Sequence, residues 1–242
     1  MRVYTKYMEP EQLSIGTAHV RRIRHVLLIV AAALLAVAGT SFILRGITHL
    51  DKSGGFNQLH YRWRSDNGDK LSATWLAPQD VSILQIPKNE TRRLRMTIAN
   101  EGPGDLAYIR YQLEYATSIE NEWTPVGLNG STKEHWAMSY SPYIIDGVST
   151  TNLPDGIEDP PGIFVAGEVR DTDNRTGPIS LPPQSFTELE FVIRPTDSAI
   201  DDGTYYFRIG RARTTTQETI QDAISVSTGI AIVKVKAALK VR

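Results

Sequence analysis

Beyond about residue 57 the apolar side chains recur at every second position, and no other feature limits the fold so tightly. In His60, Tyr61, Arg62, Trp63 and Arg64 the two aromatic rings share one face and the two arginines the other. Leu94, Met96 and Ile98 alternate with Arg93, Arg95 and Thr97. Ile109, Tyr111, Leu113 and Tyr115 alternate with Arg110, Gln112 and Glu114. Leu189, Phe191 and Ile193 alternate with Glu188, Glu190 and Val192, and Tyr205, Phe207 and Ile209 with Tyr206 and Arg208. A strand sends successive side chains to opposite faces. Each run therefore predicts a half-buried strand with one face on a core and one in water. Weaker strand candidates cover residues 73–77, 81–86, 122–127, 163–166, 220–226 and 230–239. Turn signals separate these runs at Asp66-Asn67-Gly68, at Asn100 to Gly104 and at Asp201-Asp202-Gly203. Many short strands and no long amphipathic helix after residue 50 predict a mainly β fold, an antiparallel β-sandwich.

Two stretches break the pattern. Residues 128–162 are rich in Gly, Ser, Thr, Pro and Asp and read as one long loop, with Trp136, Tyr140 and Tyr143 embedded. Loops of this length often carry function, so these three rings are the expected contacts for a ligand or partner. The competing expectation is that they fold back over one end of the core. Residues 228–242 read as an extra C-terminal strand. There Ile230, Ile232, Val233 and Val235 stand beside Lys234, Lys236, Lys240 and Arg242. The four apolar residues form the expected strand-exchange segment if copies of the chain associate through a sheet edge.

The segment from Val26 to Leu44 obeys a different rule. Its nineteen residues carry no charge, and sixteen are apolar. As a helix it would be about 28 Å long, close to the roughly 30 Å of a bilayer core. It has no polar stripe of the kind a buried soluble helix keeps. Arg21, Arg22 and Arg24 stand directly before it. The positive-inside rule then puts the N-terminus in the cytoplasm and the chain after residue 45 outside. The expected organisation is a cytoplasmic tail (1–25), a single-pass signal anchor (26–45), a Gly-containing stalk (46–56) and an extracytoplasmic sandwich (57–242). Ala36-Val37-Ala38 also fits a signal-peptidase pattern, so cleavage after Ala38 is the alternative; it exports the same residues.

Charge follows this division. Residues 1–45 hold six Lys/Arg and two Asp/Glu, for +4; the remainder hold twenty and twenty-five, for −5. A net acidic exported part argues against nucleic acid as a partner. No cysteine is present, which excludes a disulfide scaffold and thiol chemistry. Glu188 and Glu190 lie two apart on a predicted strand, a pairing glycoside hydrolysis could use, but acids alternating with core residues more often form a wet strand face. Asp171 to Gly177 has a faint calcium-loop look. Arg175 stands where the fifth oxygen ligand belongs and Gly177 is one place late, so a turn is the expectation. His49, His60 and His135 are widely separated, with no zinc-helix spacing. No catalytic, cofactor-binding or metal-binding residue is assigned. The expected partners are the lipid bilayer, through residues 26–44, and a protein or glycan outside the cell, with homo-oligomers as a further option.

Several pieces of the chain, in order, carry a family resemblance: FNQLHYRWRSDNGD (56–69), ATWLA (73–77), RLRMTIANEGPG (93–104), YQLEYAT (111–117), EW with TPVG (122–127), FTELEFVI (186–193) and DGTYYFRI (202–209). Together they resemble an Ig-like or fibronectin-III-like extracellular module of uncharacterised surface proteins from uncultured small-genome bacteria of the candidate phyla. The resemblance implies an Ig-like antiparallel sandwich acting as a stalk, adhesin or envelope part, with no catalytic residues transferred. The chain after Arg211 departs from the pattern. The functional expectation is a membrane-anchored, non-catalytic cell-surface interaction or envelope-structure module. The alternatives are a secreted fibre or pilus subunit assembled by strand exchange, and a carbohydrate-binding or glycan-active surface protein.

Overall fold

The computed structural model describes residues 55–212 and 230–236. The expected tail, anchor and nearly all of the stalk, and the strand candidate at 220–226, lie outside the described residues. Among the described residues all regular structure is β, and no helix is long and apolar enough to cross a membrane. The strands begin with β1 (Phe56–Ser65), β2 (Ile83–Ile86), β3 (Arg92–Asn100), β4 (Leu106–Ile109) and β5 (Tyr111–Ala116). Shorter ones follow: β6 (Thr124–Pro125), β7 (Trp136–Met138), β8 (Val148–Ser149), β9 (Ile163–Phe164), β10 (Glu168–Arg170) and β11 (Ile179–Leu181). The last are β12 (Ser185–Pro195), β13 (Thr204–Arg211) and β14 (Ala231–Val235).

Two sheets pack together as a β-sandwich. One runs β1-β3-β12-β10-β8, with β7 and β9 also paired to β12; the other runs β2-β14-β13-β5-β6. β4 and β11 form a separate two-stranded ladder. The alternation sets the core face. Register aligns Trp63 with Leu94 and Phe191, and Tyr61 with Met96 and Leu189. The second sheet answers with Leu113, Tyr115, Tyr205, Phe207, Ile209, Val233 and Val235 in the same cluster. Burying each such side chain contributes roughly 1.5–3 kcal/mol. Aromatic edges meet faces between the layers. Trp63 meets Phe207 at 5.8 Å and 81°, and Trp136 meets Phe207 at 4.9 Å and 87°.

The strand directions give the sandwich two unlike ends. At one, Phe56 opens β1 opposite Asn100 and stacks on Tyr111 at 5.4 Å. At the other, Ser65 stands opposite Arg92, Ala116 opposite Tyr206, and Thr204 opposite Lys234. Among the described residues β1 starts at the Phe56 end, and β14 runs out at the Ala116 end.

Several expected elements change. The run 109–115 is not one strand. Arg110 separates β4, which pairs with β11, from β5, which pairs with β13, and Tyr108, at φ 56°, lies inside β4 where its register on β11 shifts. Residues 73–77 form only a bridge from Trp75 to Arg64, yet they cover the β1 edge, where Ser65 N–H donates to Thr74 O and Leu76 N–H to Trp63 O, each at 2.9 Å. The expected long loop at 128–162 contains β7 and β8. Just after it Gly167 packs so closely on β12 that a Cβ there would lie 2.2 Å from Glu188 O. The exposed edge strand β2 carries Gln85 at φ 63°, a local distortion that blunts strand addition.

Candidate functional site: a buried arginine–glutamate layer

The second face of β1, β3 and β12 is where the structure departs most from expectation. The pattern predicts water there; the side chains are sealed. Arg64, Arg93, Arg95 and Glu190 are 0% exposed and Glu188 1%. The register explains how they meet. Arg95 stands between Arg62 and Glu190, Arg93 between Arg64 and Val192, and Thr97 beside Glu188. Arg95 donates Nε–H to Glu188 at 2.8 Å and Nη1–H to Glu190 at 3.1 Å. Arg64 donates to the same Glu190 oxygen at 2.8 Å. Arg93 lies 3.6 Å from the other Glu190 oxygen and donates Nε–H to Asp66 at 2.8 Å.

Two segments seal this layer. The turn after β1 supplies carbonyl acceptors: Arg64 donates to Ala73 O at 2.8 Å and Lys70 O at 3.0 Å. Arg62 and Arg64 both lie over the Trp75 ring, 4.4 and 4.5 Å from its centroid. The stretch 139–156 supplies the rest. Arg95 donates to Thr151 O, Arg62 to Asp155 O and Gly156 O, and Thr150 Oγ1–H to Glu188 O at 2.9 Å. Ile144 packs with Val169 and Val192 as a small second apolar cluster. Guanidinium groups, rather than a continuous apolar face, therefore fasten the stretch between β7 and β9 to the sheet.

Burial lowers Arg64 from the ordinary guanidinium range, opposed by Glu190. It raises Glu188 against the pull of Arg95. Isolated charges in such a place would cost several kcal/mol each. Here three arginines meet Glu188, Glu190 and Asp66, and the arrangement is close to neutral. The two glutamates that could have formed a hydrolytic pair are closed to any substrate in this conformation and held by arginine.

The expected contact residues are divided by the fold. Trp136 is 0% exposed; it belongs to β7 and packs against Phe207 and Tyr205, so its ring is part of the core. Tyr140 and Tyr143, at 63% and 49%, remain exposed, as does Ile145 at 80%. In the expected strand-exchange segment, Val233 and Val235 are buried and Ile232 half-buried. β14 lies between β13 and β2 in its own sheet, with both sides paired. Ile230 stands just before it. Asn174, in the faint calcium-loop sequence, is a core bracket. Its amide donates to Leu113 O and Val126 O at 2.8 Å and accepts Leu113 N–H at 2.9 Å.

An open groove of about 540 Å³ lies at the Ala116 end of the sandwich, lined by Tyr115, Asn121, Glu122, Lys133, Glu134 and His135 among others. His135 is positioned by Tyr205 OH at 3.1 Å and by its own N–H donating to Tyr115 OH at 2.9 Å. A hydrogen bond from the Ser131 hydroxyl holds the Glu134 carboxyl below the usual carboxylate range. Neither this groove nor the buried layer was expected: the layer is assembled from residues far apart in the chain, and the groove, lined by residues between 115 and 135, carries no sequence motif. No protein-family model matches this chain, and no curated protein matches it either.

Proposed function

We propose that the chain is a membrane-anchored module whose exported part is an Ig-like sandwich with a non-catalytic interaction or envelope-structure role. The strand order supports the Ig-like part. β1-β3-β12 against β14-β13-β5-β6, with β2 parallel to β14, is the ABE and GFC pairing of such sandwiches. Tyr205, at the start of β13, accepts Ile200 N–H on its hydroxyl at 2.7 Å. This hydroxyl-to-backbone bond resembles the tyrosine corner of that architecture, which supports the reading.

The observation that carries the functional reading is the open groove with Glu122, Lys133 and His135 at the Ala116 end of the sandwich, the end opposite Phe56. Localisation is tested by N-terminal sequencing of the protein recovered from membranes, together with protease added outside intact cells. A start upstream of Val26 and loss of the sandwich to external protease are expected; a start at Gly39 would sink the anchor. The interaction role is tested by displaying the full chain on cells and measuring their adhesion to neighbouring cells. The variant Glu122→Lys/Lys133→Glu is expected to change adhesion with the denaturation midpoint unaltered, and unchanged adhesion removes the groove as the contact.

A further inference from the structure

The turn 141–147 is fastened to the end of β10 by two carboxyl groups. Asp171, which follows β10, is 1% exposed and accepts Ser141 N–H on Oδ2 at 3.1 Å. Asp146 reaches back the other way. It accepts the Asp171 main-chain N–H on Oδ1 at 2.9 Å and pairs with Arg170 through Oδ2 at 2.8 Å. The two side chains meet. The second oxygen of Asp171, Oδ1, is buried and has no hydrogen-bond partner among the described residues. Two ionised carboxylates in contact, one of them out of water with a bare oxygen, repel and lack solvation. A proton on Asp171 removes both penalties by turning the contact into an acid–carboxylate hydrogen bond. A metal cation is the competing solution. However, N–H and guanidinium donors already occupy the Asp146 oxygens, and no third His, Cys, Asp or Glu joins the pair among the described residues.

We propose that Asp171 and Asp146 form a proton-operated clasp, which holds the 141–147 turn against β10 when the pair carries a proton and loosens it when both are ionised. The surrounding charges have definite places. Arg170 pairs with Asp146 and also faces Glu168 at 3.4 Å and Asp173 at 3.7 Å. Thr172 N–H points to Asp146 at 3.5 Å. From the turn after β1, Asp66 accepts the Ser141 hydroxyl at 2.7 Å, with Arg93 behind it. The proton therefore belongs on Asp171. Burial, and then the Asp146 charge, raise its titration above the usual carboxyl range, while the Ser141 N–H and a hydrogen bond from the Thr172 side chain oppose them. A raised folded-state value means that the stabilisation is complete below about pH 4 and is lost as pH climbs through the raised value. Opening would free Ile144 from Val169 and Val192 beside the already exposed Tyr140, Tyr143 and Ile145, so the apolar surface offered there grows with pH.

Hydrogen exchange on the full chain in detergent reads the clasp directly. After correction for intrinsic rates, amides at 141–147 are expected to lose about tenfold protection or more between about pH 4.5 and about pH 7.5. Core amides of β3 and β12 keep theirs. Asp171→Asn keeps both hydrogen bonds without the charge, and should stay protected at both pH values. Asp146→Asn should likewise lose the pH dependence, and it serves if the first variant does not fold. Equal corrected protection of the unaltered chain at both pH values would overturn the clasp. So would an unchanged pH dependence in both variants, or protection restored at about pH 7.5 by millimolar calcium, which would make the pair a cation site.

Discussion

Glu190 takes one guanidinium from its own row, Arg95, and a second from Arg64, while Arg93 stands 3.6 Å away. Removing one partner from such a group leaves a buried charge uncompensated. Arg95→Ala is therefore expected to destabilise the domain by about 3–5 kcal/mol, read from the urea midpoint. Exchanging Arg64, Arg95, Glu188 and Glu190 together for Met, Met, Leu and Gln should recover most of that loss, because the desolvation penalty disappears with two charges of each sign while Arg93 keeps Asp66. Failure of this fourfold variant to recover would show that the layer contributes more than mutual neutralisation. The aromatic residues of the 128–162 stretch divide in the same measurement. Trp136→Ala should cost about 3–5 kcal/mol as a core truncation. Tyr140→Ala should change stability by no more than about 0.5 kcal/mol, as an exposed substitution. Both rings sit in the same polar stretch of sequence, four residues apart, and nothing local distinguishes them. Trp136 goes inward because β7 pairs with the end of β12, matching Met138 to Ile193.

At the level of elements, the long alternating runs became β1, β3, β12 and β13, since a period of two with large apolar residues has few other ways to bury one face. Of the weak candidates within the described residues, 81–86 shrank to four residues, 122–127 and 163–166 to two each, 73–77 to a bridge, and 230–239 to the five residues of β14. β14 is the informative case. Its apolar-basic sequence reads as surplus after the Tyr205 to Ile209 strand, yet it occupies the interior of a sheet and buries Ala231, Val233 and Val235 completely. A chain lacking residues 228–242 is therefore expected to lose its cooperative thermal transition, rather than to stay folded and merely fail to associate. A folded truncated chain, by calorimetry, would mean that β14 is dispensable and would favour the strand-exchange reading. The DGTY turn leading into β13 was legible as a motif. Its bond from Ile200 N–H to the Tyr205 hydroxyl needs three dimensions.

For the whole molecule, the sandwich has one ordinary apolar interior and one charged layer sealed by chain segments on its outer side. The apolar interior is shared by both sheets, so the chain from residue 46 onward should unfold in a single two-state transition when prepared without residues 1–45. Two calorimetric transitions would show instead that the cover over the charged layer melts separately. The sequence by itself determined the alternation, the turns that punctuate it and the split between a basic, apolar N-terminal region and an acidic remainder, because these depend only on neighbours along the chain. It left the outer faces of β1, β3 and β12 open. Alternating Arg and Glu look the same whether water or another segment faces them, and only burial makes their pairing obligatory. The tertiary structure decided that the segments at 66–77 and 139–156 cover that face, because their carbonyls and Asp66 meet guanidinium donors brought together by strand register. It also decided that Trp136 is core, since that depends on β7 pairing with the end of β12, a contact between residues remote in the chain.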